Sequence, residues 1–400
     1  MLRAFTLLTL ILVLALGLHR VQATEAAAPG SRAAETVAFL ADAGPRTPES
    51  AAVEAARRYL DDAYAQAGYV TEVQTFQYQN YQPLSSGLEI GGTRLRGNAA
   101  WGTSARRVVA PLVTVAGKGS RDDFAAAQLE AAIAVVRRSD ITVSEQVQHA
   151  RAANAVGLVI VNSEAGNWST RFTAPDPFPV LLLSGEQGAP LLETATSGPE
   201  ATLDLQPILR TTTGHNLVAK LDRIALPRVI IGAHYDSVPG SVGANDNASG
   251  TALVLELARR LADDPLAQWV WFVAFDAEER GVAGSQALVA SLPFRFNVSG
   301  MINFEMLGLN DQLLATGTPE LTNVAQAAVP TISVVSDLGV SDHYPFDAQD
   351  VPVLVLTRGL HPNKDTPLDT EIDPDLLDEA VDRAEQVVRA LLPRLISLEE

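Results

Sequence analysis

Four apolar segments of this 400-residue chain each stop at a histidine or an acid. Residues 229–233 read Val-Ile-Ile-Gly-Ala and end at His234. Residues 269–275 are wholly apolar and end at Asp276, with Glu278 and Glu279 just beyond. Residues 300–304 end at Glu305, and residues 353–356 lead through Arg358 to His361. Short apolar runs bounded by turn residues read as buried strands. Carboxylates and imidazoles are hard to bury unless something pairs with them. A chain that puts them at its strand ends therefore folds as a sheet with one polar edge. Helical patterns at 248–261, 281–290, 320–328 and 374–395 alternate with strands at 216–221, 229–233, 269–275, 300–304, 312–315 and 353–356. This implies an α/β fold with a largely parallel central sheet and helices on both faces. In such sheets ligands bind outside the carboxyl ends of the strands.

The remainder organises around that sheet. After His234 comes Asp236, then a loop of Gly, Pro and Ser that delivers Asp246 where a helix begins. Upstream, residues 33–43 and 50–67 have helical spacing, and residues 70–76 alternate like a strand. From residue 82 the texture changes to short strand-like pieces rich in Gly, Ser and Asn. Strands at 108–115, 158–161 and 178–183 and a helix at 145–155 follow, with no clustered acids. The reading is a small inserted β-rich α+β domain at 82–207, splitting a larger domain into 24–81 and 208–400.

Residues 1–23 have the form of a signal peptide: Arg3, an apolar stretch at 5–18, and small residues Val21 and Ala23 before the cleavage point. The stretch is shorter than the roughly 20 residues of a spanning helix. The expected location is secreted, extracellular or periplasmic, with no stable membrane anchor after cleavage. The chain has no cysteine, so any metal ligands are His, Asp or Glu. A net charge of −18 argues against nucleic acid or anionic membrane as a partner. The strand-end residues are the ligand types of divalent ions, with zinc favoured for a mixed nitrogen and oxygen set. Two such ions about 3.5–4 Å apart need a shared carboxylate.

Six ordered motifs carry a resemblance. They are His234-Tyr-Asp236-Ser, Gly243-Ala-Asn-Asp246-Asn247-Ala-Ser-Gly250, Glu278-Glu279-Arg-Gly-Val-Ala-Gly284-Ser285, Ile302-Asn-Phe-Glu305-Met-Leu-Gly308, Ser341-Asp342-His343-Tyr-Pro-Phe346 and His361-Pro-Asn-Lys-Asp365-Thr366. The chain resembles the co-catalytic zinc exopeptidases, which include secreted bacterial leucyl aminopeptidases, glutamate carboxypeptidases and glutaminyl cyclases. The resemblance covers roughly 33–80 and 208–400. It implies two zinc ions per chain and a peptide substrate. It implies Asp246 as the bridging ligand, His234 and Glu305 completing one site, and Glu279 and His361 the other. Glu278 becomes the general base, and Asp236 holds the His234 imidazole in its ligating tautomer. The insert is similar to the protease-associated domain.

Two positions depart from the family pattern. Glu305 stands where most members carry Asp, and Leu360 where many carry a Tyr that stabilises the oxyanion. Either the metals alone then do that work, or another donor such as Tyr344 or Arg358 contributes. The leading expectation is an aminopeptidase, because the acid-rich motifs suit a free amine better than a carboxylate. The alternatives are a carboxypeptidase or dipeptidase, a glutaminyl cyclase using one zinc, and a non-catalytic binding relative.

Overall fold

The computed structural model describes residues 31–397 except 82–84, 164–165, 169, 171–175, 194–197, 222–225, 293–297 and 337–338. The expected leader at 1–23 lies outside the described residues. The chain opens with helices α1 (Ser31–Asp42) and α2 (Ala51–Gln66). The Ser50 hydroxyl accepts from Val53 N at 3.0 Å and caps α2, a contact worth about 1 kcal/mol. Strand β1 (Val70–Tyr81) then leads into the insert.

The insert is a closed barrel, in the order β2-β3-β7-β6-β5-β4-β8. Its strands are β2 (Ser86–Ile90), β3 (Thr93–Ala99), β4 (Arg106–Thr114), β5 (Ile133–Arg137), β6 (Gly157–Val161), β7 (Val180–Leu183) and β8 (Glu200–Leu205). Strands β4 to β7 run parallel. Helices α3 (Arg121–Ala126), α4 (Val143–Ala152) and α5 (Gly185–Leu192) lie along this stretch of chain. Alternate residues of β5 feed two separate cores: Ile133 and Val135 one, Ala134 and Val136 the other.

The chain leaves the insert in β9 (Leu209–Lys220), which pairs antiparallel with all of β1, from Val70 opposite Lys220 to Tyr81 opposite Leu209. The periodicity predicted only residues 216–221 here. The first half of β9, Leu-Arg-Thr-Thr-Thr-Gly-His, is β-branched and polar. It pairs through its backbone and largely faces solvent, so it carries no apolar signature.

The remaining elements are β10 (Val229–His234), α6 (Gly250–Leu261), β11 (Val270–Phe275), α7 (Ala283–Ser291), β12 (Gly300–Glu305), β13 (Leu314–Gly317), α8 (Pro319–Ala328), β14 (Ser333–Val334), α9 (Tyr344–Asp347), β15 (Val353–Thr357) and α10 (Pro374–Ile396). The sheet order is β1-β9-β11-β10-β12-β15-β13-β14. Strands β11, β10, β12 and β15 are parallel. Antiparallel pairings flank them on both sides. Val229, Ile231 and Ala233 pack with α1, α2, α6, α8 and α10, while Ile230 packs with α7 and α9 on the other face. Burial on both faces is why these strands read as continuous apolar runs. From β10 the chain goes to β11 on one side, then to β12 on the other. The order therefore reverses at β10 and β12, which marks the crevice where such sheets bind ligands.

Candidate metal centre

His234 and Glu305 are the last residues of β10 and β12, so the reversal point brings them together. His234 Nε2 lies 3.6 Å from Glu305 Oε2, 3.3 Å from Asp246 Oδ1 and 3.9 Å from Glu278 Oε2. Asp246 arrives from the turn that starts α6, and the residues around it explain its placing. Asn247 donates from Nδ2 to Phe304 O at 2.8 Å, and its Oδ1 accepts from Met306 N at 3.1 Å. Asn245 Oδ1 accepts from Gly308 N, and Ser249 Oγ from Leu307 N. The side chains at 245, 247 and 249 thus bind the backbone just past β12, leaving Asp246 to face His234. A Cβ on Gly250 would stand 2.5 Å from Phe304 O, so this approach requires glycine.

Glu278 and Glu279 diverge because the chain turns sharply there. Ala277 adopts φ 57°, a tight helical turn covers Glu278–Arg280, and Gly281 follows at φ 88°. Asp236 holds this turn. Its carboxylate accepts from Glu278 N at 3.0 Å and Glu279 N at 3.3 Å. It also stands 3.4 Å from His234 Nδ1, with its own carbonyl at 3.3 Å. A proton on Nδ1 is therefore shared with Asp236, which leaves Nε2 facing the other acids.

Three sets of donor atoms lie within 4.8 Å of one another: His234, Asp246 and Glu305; His234, Glu278 and Glu279; and Asp246, Glu279 and Asp365. His361 is in none of them. Its imidazole is buried, its two nitrogens have no hydrogen-bond partner, and Asp369 is 3.9 Å away. Asp365 stands beside Asp246 and Glu279 where His361 was expected.

The electrostatics describe a cluster short of positive charge. Burial, then the neighbouring acids, push the Glu278 carboxyl well above its ordinary range, with His234 opposing. Burial and Asp246 do the same to Glu279. Asp342 is pushed up to about 8 and Asp276 to about 7, burial being the main cause of both. Burial works against a charged His234, but Glu305 and Glu278 outweigh it and raise its pKa well above the usual value. These surroundings suit a divalent cation. The nitrogen-and-carboxylate set at His234, Asp246 and Glu305 matches zinc in donor type. The orphaned His361 nitrogens beside the other set are donors without a partner.

Sequence reasoning missed several supporting residues. Arg46 is fully buried and donates to the carbonyls of Leu40, Tyr235, Val242 and Gly243, clamping the loop after His234. Asp369 accepts from Asn245 N and Asp246 N. The Ser341 hydroxyl and the Asn303 amide both hold Glu305 Oε1. Lys364 donates to Asp246 Oδ2 and, at 3.1 Å, to Asp365 Oδ1. Arg358, considered as an oxyanion donor, is buried and spent on Asn310 O, Asp311 O, Leu376 O and Glu379. Tyr344 is half exposed and lines an adjoining cavity, and His215 and His149 make structural contacts with Thr75 and Gly119 O.

The centre opens into a small cleft of about 90 Å³. Met306, Val340, Val355 and Leu360 form its apolar wall, opposite His234, Asp246, Glu278 and Glu305. Among the described residues that line it there is no arginine, and the lysine is Lys364.

Residues 216–391 match the profile of peptidase family M28, and residues 108–191 match the PA domain. The chain is similar to the aminopeptidase YwaD of Bacillus subtilis, 32% identical over 283 residues, covering 68% of this chain and 60% of that protein. An aminopeptidase of Pseudomonas aeruginosa is 29% identical over 304 residues, 68% of this chain and 56% of that one. The matched stretch thus spans little more than half the length of these relatives. Among solved structures, the zinc aminopeptidase BSAP of Bacillus subtilis superposes with a TM-score of 0.73 at 26% identity, covering 90% of this chain and 94% of that one. The aminopeptidase of Aneurinibacillus sp. strain AM-1 gives 0.64 at 28% identity, with 90% and 93% covered. A glutaminyl cyclase of Porphyromonas gingivalis shares the fold, with a TM-score of 0.51 at 15% identity over 91% of this chain and 98% of that one.

Proposed function

We propose that this chain, whose residues 216–391 match peptidase family M28 and residues 108–191 the PA domain, is a secreted zinc aminopeptidase that hydrolyses the N-terminal bond of peptides. Export rests on the leader-like residues 1–23. Zinc rests on the donor set and on the zinc aminopeptidase among the structural neighbours. His234, Asp246 and Glu305 would hold one ion. Asp246 and Glu279 would hold a second, with His361 or Asp365 as the further ligand. Bound zinc supplies Lewis acidity, which polarises a peptide carbonyl and acidifies water.

The protein's own groups do the rest. Glu278 lines the cleft beside His234, with its side chain only 13% exposed. It takes the proton from the attacking water and passes it to the leaving amine. Asp236 keeps the His234 ring in one orientation and fixes the turn that separates Glu278 from Glu279. The apolar wall takes up the side chain of the residue being removed.

The observation that carries the aminopeptidase reading is a cleft lined by Asp246, Glu278 and Glu305, with no arginine among the described residues of its wall. A free α-amine is attracted there, whereas a C-terminal carboxylate finds only Lys364, already paired with two acids. The test is a panel of aminoacyl anilides, free peptides and N-acetylated peptides. The expected result is release of N-terminal residues and no cleavage once the amine is blocked. Release of C-terminal residues from N-acetylated peptides, with anilides untouched, would make it a carboxypeptidase.

A further inference from the structure

Lys364 stands where a second metal ion would have to bind. Its ammonium donates to Asp246 Oδ2 and Asp365 Oδ1. Those two carboxylates, with Glu279, are one of the three donor groups. The other oxygen of Asp246, Oδ1, faces His234. Asp246 thus gives one oxygen to the set shared with His234 and Glu305, and the other to Lys364. An ion held by His234, Asp246 and Glu305 is compatible with Lys364 in place. An ion held by Asp246, Glu279 and Asp365 is not, because it draws on two carboxylates that the ammonium already occupies and meets a like charge among them.

We propose that Lys364 is a built-in competitor for the second metal position, so that the two ions bind stepwise and the second displaces the lysine. This rests on the two-ion reading above. The lysine has somewhere to go, since its side chain is 28% exposed and lines the open cleft. The buried His361 nitrogens lack a hydrogen-bond partner beside this group. An ammonium donates and does not satisfy a ring N–H, while a metal ion takes the lone pair of the other nitrogen. Displacement of Lys364 therefore exchanges an ion pair for a fuller ligand set. Until then the lysine neutralises Asp246 and keeps the one-ion form intact.

The test is zinc titration of chelator-stripped full-length protein against a chromophoric chelator, for wild type, Lys364→Met and Lys364→Arg. Wild type should show two steps. Lys364→Met should tighten the second by about 10-fold or more, the worth of one charge-assisted hydrogen bond, and change the first far less. Lys364→Arg keeps the charge and should keep the weak second step. An unchanged first step and an unchanged circular dichroism spectrum establish that the variants are folded. Two ions bound equally well by wild type and Lys364→Met would overturn the inference and leave the two-ion reading standing. A tight second step in Lys364→Arg would overturn it too, since charge would then be irrelevant. One ion in all three proteins would remove the two-ion reading and this inference with it.

Discussion

At the scale of single residues, adjacent carboxylates meet different neighbours because the backbone between them turns. Glu278 and Glu279 share Asp236 as the acceptor of their N–H groups, yet only Glu279 also joins Asp246 and Asp365. Glu278→Gln keeps the shape and loses the proton acceptor, so turnover should fall by about 10²–10⁴-fold while bound zinc is unchanged. Glu279→Gln removes an anionic donor, so zinc content and melting temperature should fall together. Metal analysis and thermal melts on both variants separate the roles. Metal loss in Glu278→Gln alone would mean that they are exchanged. His234 and Glu305 were legible because each closes an apolar run, Asp246 because it opens a helix, and Glu278 and Glu279 because their motif follows a strand end. Arg46 was not. It lies in Gly-Pro-Arg-Thr-Pro, a setting that normally faces solvent, and its burial depends on carbonyl acceptors of which three, Tyr235, Val242 and Gly243, lie far along the chain. Asp365 shares its motif with His361, and spacing does not say which residue of that loop lies beside Asp246 and Glu279.

At the scale of elements, the centre is held by loops tied to strand ends. Arg46 fastens the loop after β10, and Asn245, Asn247 and Ser249 fasten the start of α6 to the end of β12. Arg46→Met leaves buried carbonyls without a donor. At about 1–3 kcal/mol for each buried group left unpaired, the loss of stability should be about 3 kcal/mol or more, even with some carbonyls reached by water. Urea unfolding of chelator-treated protein measures it without contribution from metal. A loss within error would show that the clamp is dispensable. The central strands were legible from their apolar runs, since β10, β11, β12 and β15 are buried on both faces. The first half of β9 and the two-residue β14 were not, because both are held by backbone pairing and present largely exposed side chains.

At the scale of the whole molecule, the insert sits at the far end of the β1–β9 ribbon and also touches a loop beside the centre. A Cβ on Gly166 would lie 2.6 Å from Pro367 Cδ, so the loop after β6 rests against the loop that carries His361 and Lys364. The insert supplies no member of the three donor groups and is expected to govern access. Tyr81 and Leu209 are paired across the ribbon. Residues 82–208 can therefore be replaced by Asn-Gly, the sequence of a two-residue hairpin turn. The shortened protein should keep its zinc and cleave long peptides faster relative to dipeptides. A folded protein without zinc would mean that the insert contributes ligands.

The central claim is that the acids gathered at these strand ends hold catalytic zinc. It is tested most directly by measuring the zinc content and aminoacyl-anilide turnover of one preparation before chelation, after chelation, and after zinc is returned. Zinc and activity should disappear together and return together, while the stripped protein stays folded. A metal-free preparation with full activity would contradict the account.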